Sequence, residues 1–163
     1  MNNDWNNIAD CLRGEISEYG ALLNGFEAQQ RALFARDSES VLRLSGEIEE
    51  QVRVTRDTRD RRERAVAAFA ISKGRPQAAT LRSLIDLFEL DAQPLIEALI
   101  NEVNVLIHRV RRLNRHNHMM LARTVAAHRE TIRMLRPGSY DSTYTAAGRV
   151  PGIAPAVALQ AAG

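Results

Sequence analysis

Apolar residues recur three and four positions apart along most of the chain, the spacing of one helical face. Trp5, Ile8, Leu12, Ile16, Tyr19, Leu22, Leu23, Phe26, Leu33 and Phe34 form the first such stripe. It predicts a helix from about Asp4 to Arg36. Gly14, Gly20 and Gly25 each weaken that helix by roughly 1 kcal/mol relative to alanine, so packing of the stripe must hold it. "ARDSESV" interrupts the pattern, and Asp37 or Ser38 is placed to cap a new first turn.

The second stripe runs through Val41, Leu44, Ile48, Gln51, Thr55, Thr58, Arg62, Ala65 and Phe69, an alternation resembling a coiled-coil seam whose middle is polar. Interleaved Glu47, Glu49, Glu50, Asp57, Asp60 and Glu63 with Arg53, Arg56, Arg59, Arg61, Arg62 and Arg64 read as a solvated mixed-charge face. "SKGRPQA" ends this helix: Pro76 disfavours helical geometry at Arg75, and Gly74 suits a left-handed cap. The two helices then run back along one another. "TLRSLIDLFELD" predicts a short helix capped by Thr80, with Leu81, Leu84, Ile85 and Phe88 plugging one end of the hairpin.

A last helix is expected after a cap at Asp91, with Pro94 in its first turn. Neither proline nor glycine occurs between Pro94 and Arg136, a rod of about 64 Å at 1.5 Å per residue. Its stripe is branched aliphatic at first, through Ile96, Leu99, Val103, Leu106 and Val110. After Leu113 it thins to Asn117, Met120, Thr124, Ala127, Thr131 and Met134, and a neighbouring row through Ile100, Ile107, Asn114, Leu121, His128 and Leu135 widens it. "RPGSYDSTYTAAGRVPGIAPAVALQAAG" ends the helix and reads as flexible. The expected fold is all-α: an antiparallel helical hairpin, a short helix and a long C-terminal helix in a coiled-coil-like bundle. A bundle domain over 1–136 is followed by a tail over 137–163.

Composition narrows the function classes. At 163 residues and 45% hydrophobic the chain fits one core-forming domain, and no apolar run is long enough for a membrane span. The start has neither the basic flank nor the apolar centre of a secretory signal, and one cysteine, Cys11, precludes an internal disulfide; the expected compartment is the cytoplasm. The net charge is only +2, but 94–136 holds eight arginines against three glutamates.

That excess centres on "RVRRLNRHNHMML", residues 109–121, where three chemistries compete. His116 and His118 are two apart and diverge on a helix, His108 is eight residues from His116, and no Glu-x-x-His occurs, so a metal site is not expected. No cofactor is implied. Neither a phosphate loop nor a serine elbow accompanies Cys11, whose expected role is packing, so the chain does not read as an enzyme. Arg109, Arg111, Arg112, Arg115, Arg123, Arg129, Arg133 and Arg136 are the basis of a nucleic-acid alternative, which their angular spread and the lack of aromatic residues weaken. The amphipathic reading remains: a Met- and Asn-containing stripe that accepts a partner helix, or else core of this bundle or of a homo-oligomer.

Two motifs add a resemblance. "LNRHNHMML", Leu113 to Leu121, resembles the Leu-Asn-x-x-Asn block of the FlgN family of flagellar export chaperones, and "YTAAGR", Tyr144 to Arg149, resembles its short tail motif. The helical architecture is similar as well. The resemblance implies a chaperone without ATPase activity that binds the hook–filament junction proteins FlgK and FlgL, prevents premature assembly and delivers them to the type III export apparatus. Carried over by position, Asn114, Asn117, Met120, Leu121, Thr124, Val125, His128, Ile132 and Leu135 become expected cargo contacts. Tyr144 and Tyr140 match the tail tyrosine associated with docking at the export gate, the protein FlhA. The tail departs from the pattern by continuing 14 residues past Arg149.

Overall fold

The computed structural model describes residues 4–135. They form α1 (Asp4–Ala35), α2 (Ser38–Ser72), a short 3-10 helix (Leu81–Leu87) and α3 (Gln93–Leu135). The order and type of these elements are those the periodicity predicts, and the fold is all-α. Tyr140, Tyr144 and the rest of the expected 137–163 tail lie outside the described residues. The chain divides after Leu121 into two compact units, each taken by itself below.

In the first unit α1 and α2 form the hairpin, and the turn between them is closed by backbone. Asp37 N–H donates to Ala32 O at 3.0 Å and Arg36 N–H to Leu33 O at 3.2 Å, the paired bonds of a Schellman cap. The position that glycine usually occupies in this motif holds Arg36, at φ 56°. Asp37 then starts α2 by accepting from the Ser40 amide at 3.1 Å, and hydrogen bonding from the Ser40 side chain, then from its backbone, lowers the Asp37 pKa. The same paired bonds close α2, from Arg75 N–H to Ala70 O and from Gly74 N–H to Ile71 O, here with glycine at φ 66°. One glycine matters for packing. A Cβ on Gly25 would stand 3.2 Å from Ile48 Cγ1, so its absence lets α1 close on α2.

Three apolar clusters lie along the hairpin. The largest joins Ile8, Ala9 and Leu12 of α1, Val66, Phe69 and Ala70 of α2, the 3-10 helix, and Ile96, Leu99 and Val103 of α3. Thr80 starts the 3-10 helix by accepting from Ser83 N–H at 3.3 Å, and Leu81, Leu84 and Ile85 are buried from it. Phe88 stacks on Phe69 with centroids 4.4 Å apart. The short helix therefore plugs the open end of the hairpin, as its pattern predicts. The cap of α3 falls one residue after the expected Asp91: Ala92 O accepts from the Ile96 amide at 3.0 Å, and the helix begins at Gln93.

The middle cluster joins Leu22, Leu23 and Phe26 of α1 to Ile48 of α2 and Val110 of α3. Since the start of α3 meets the start of α1, and Val110 meets Leu22 to Phe26, α3 runs parallel to α1 and antiparallel to α2. At the hairpin turn the third cluster, Ala32, Val41 and Leu44, is made by α1 and α2 alone.

The polar middle of the α2 seam is real. Thr55 is buried and its hydroxyl donates to Gln51 O at 2.7 Å, while Gln51 Nε2 donates to Glu18 Oε2 at 2.7 Å. Arg62, which the periodicity sets in the seam and the charge pattern in the solvated face, takes the seam position: it turns inward and its Nε donates to Glu15, which is fully buried. Burial raises the Glu15 pKa, and the Arg62 charge opposes that shift.

Candidate functional site

The stretch 109–121 settles into three environments once α3 lies beside α1. Val110 is buried, Leu113 and Asn114 are half-buried, and Arg109, Arg111, Arg112 and Arg115 are exposed. Arg109 approaches Glu27 of α1 at 3.9 Å with both side chains in solvent, so it is a weak surface pair. His116 meets Gln30, whose Nε2 donates to Nδ1 at 2.6 Å in the tautomer protonated at Nε2. No group of three or more His, Cys, Asp or Glu side chains converges among the described residues. Burial pushes the Cys11 thiol pKa up, which disfavours a reactive thiolate.

Asn117 is placed differently from the open stripe on which it was expected. It is 3% exposed, and its Nδ2 donates to Phe26 O at 2.8 Å and to Gln29 Oε1 at 3.0 Å. Its Oδ1, itself buried, has no hydrogen-bond partner among the described residues. The pattern along α3 marks Asn117 as one of several polar positions, and only the approach of α1 distinguishes it as a clamp.

Beside that clamp, a cleft of about 500 Å3 opens among the three helices near the hairpin turn. Phe26, Gln29 and Leu33 of α1, Val41, Ser45, Ile48 and Val52 of α2, and Asn114, Asn117 and Leu121 of α3 line it, with Glu49, Arg53, Arg56 and His118 among its charged and titratable groups. It brings together three of the expected contacts, Asn114, Asn117 and Leu121. Met120 is half-buried and does not line it. The α1 and α2 walls were not among the expected site residues. Their signal in the sequence is that Leu33 and Val41 continue the stripes to the turn, where α3 supplies no residue to their cluster.

The second unit, in its described part, is the end of α3 from Ala122 to Leu135, and every residue there is exposed. Thr124, Val125, His128, Ile132 and Leu135 lie within one arc of this helix by their spacing. Val125, Ile132 and Leu135 are 42%, 45% and 77% exposed, large apolar side chains in solvent on a single face.

The helical hairpin closed by a third helix carries both features, and across it the family model described as FlgN protein matches residues 1–152. The chain belongs to the FlgN family. FlgN proteins are chaperones of flagellar export and are not enzymes. No curated protein and no solved structure gives a match to the chain. Among the described residues no helix is long and apolar enough to cross a membrane.

Proposed function

We propose that this FlgN protein is a cytoplasmic type III export chaperone for the hook–filament junction proteins FlgK and FlgL. It binds their helical terminal segments, holds them from premature assembly and hands them to the export gate protein FlhA through Tyr144 and Tyr140 of its tail. The observation that carries this reading is the run of large apolar side chains left in solvent on α3 of a protein from this family. A chaperone needs such a surface, because a cargo helix with an apolar face is kept from self-association only by an equivalent face that covers it. Asn114, Asn117, Met120, Leu121, Thr124, Val125, His128, Ile132 and Leu135 are the proposed cargo contacts.

Two manipulations separate cargo from gate. Leu121→Glu combined with Val125→Glu changes exposed positions, so the helical circular-dichroism signal should persist. Affinity for a terminal-helix peptide of FlgL should fall by about 2 kcal/mol or more, roughly thirtyfold. Deletion of 137–163 should leave peptide binding intact and remove capture by the cytoplasmic domain of FlhA. Peptide binding at wild-type strength by the double variant would show that the contacts lie elsewhere.

A further inference from the structure

The cleft at the hairpin turn holds polar groups whose bonding is incomplete, and they define what it accepts. On α2, Glu49, Val52, Arg53 and Arg56 all line it. Arg53 is tied to Glu50 by two hydrogen bonds, whereas Glu49 and Arg56 make no ion pair among the described residues. Those two opposite charges are seven residues apart, two turns of helix or about 10 Å along its axis. Val52 of α2 lies between them beside the paired Arg53, and Leu33 of α1 and Leu121 of α3 line the same cleft nearer the hairpin turn. Asn117 closes the α3 wall: its amide nitrogen is committed to α1, and its carbonyl oxygen, without a donor among the described residues, is itself buried and out of an occupant's reach.

We infer that this cleft receives an amphipathic helix of the export cargo carrying one basic and one acidic side chain two turns apart. The basic residue meets Glu49, the acidic residue meets Arg56, and apolar residues of the same face pack on Val52 between them and on Leu33 and Leu121 toward the hairpin turn. The opposed charges also fix the direction in which the helix lies, since reversing it would set like charges together at both ends. This inference rests on the export-chaperone reading and specifies the partner's chemistry within it.

The test uses the full-length chain and a fluorescent peptide spanning the terminal helix of the FlgL encoded with it. Glu49→Arg, Arg56→Glu and Val52→Glu, all at exposed positions, should each weaken peptide binding tenfold or more with unchanged circular dichroism. The exchange Glu49→Arg with Arg56→Glu should recover binding for a peptide whose basic and acidic residues are exchanged, and not for the native peptide. If the native peptide fails to bind the unaltered protein, the export reading falls and this inference with it. If it binds and the cleft variants bind equally well, the cleft assignment alone is overturned. A stable dimer of the unliganded protein that Val52→Glu dissociates would assign the cleft to a second copy of the chain and also overturn it.

Discussion

Replacing Arg62 by methionine keeps most of the side-chain volume while removing the charge that is hydrogen-bonded to Glu15. The Glu15 carboxylate is fully buried and its Oε2 has no partner among the described residues, so Arg62 is what makes ionisation tolerable there. Without it the protein folds with Glu15 protonated. Neutralising a carboxyl of ordinary pKa about 4.3 costs about 3.7 kcal/mol at pH 7 and about 1 kcal/mol at pH 5, at 1.36 kcal/mol per pH unit. Those values are ceilings for Arg62→Met, because burial already raises the Glu15 pKa in the intact protein and part of the cost is present there. The sign follows from that direction. A raised carboxyl pKa means the folded chain holds the proton more tightly than the unfolded chain, so stability from this group is complete below the unfolded value. It is lost as pH rises through the folded value. Removing Arg62 moves the folded value further up, so the penalty grows with pH. Urea denaturation at pH 5, 6 and 7 should show the difference between wild type and Arg62→Met increasing with pH, while other titrating groups cancel in the difference. In a Glu15→Gln background the same substitution should cost a pH-independent amount. An Arg62→Met penalty under about 0.5 kcal/mol at pH 7, or one equal at pH 5 and pH 7, would refute the buried ion pair.

Three further predictions concern backbone and packing. Arg36→Gly should stabilise the protein by about 0.5–1 kcal/mol in chemical denaturation, since glycine removes the left-handed strain at φ 56° at some entropic cost in the unfolded chain. Gly25→Val should lower stability by about 1–3 kcal/mol, as the added side chain forces α1 from Ile48, whereas Gly20→Ala, with open space around it, should raise it by up to about 1 kcal/mol. Leu84→Ala, at a position 1% exposed in the cluster that joins all four elements, should cost about 2–5 kcal/mol and lower the midpoint of thermal unfolding.

Much of the helical frame was legible because helix boundaries are local chemistry. Asp37 and Thr80 cap as expected, since an acceptor side chain beside free amides works wherever the helix lies. Gly74 closes α2 for an equally local reason. Arg36 escaped notice because its left-handed geometry is imposed by the Schellman bonds of the turn and not by any preference of arginine. Glu15 escaped for another reason. An acidic residue beside an apolar stripe reads as solvated until a helix from elsewhere in the chain brings Arg62 against it. The cleft divides along the same line: Leu121 was visible as part of a repeating face, and Arg56 and Glu49 were visible only as members of a charged surface.

The sequence by itself determined the number, type and lengths of the helices, their breaks, and the stripe that each must bury. Periodicity states which side of a helix needs a partner. It cannot say which helix provides one, because pairings such as Asn117 with Phe26 or Glu15 with Arg62 join residues far apart in the chain. The tertiary structure decided that α3 runs parallel to α1, that Asn117 is spent on holding it there, and that three helices leave a cleft lined by charges of both signs. Those features depend on how closely whole helices approach, a distance set by the sum of all side chains between them, including a glycine at position 25 where any larger residue would hold them apart.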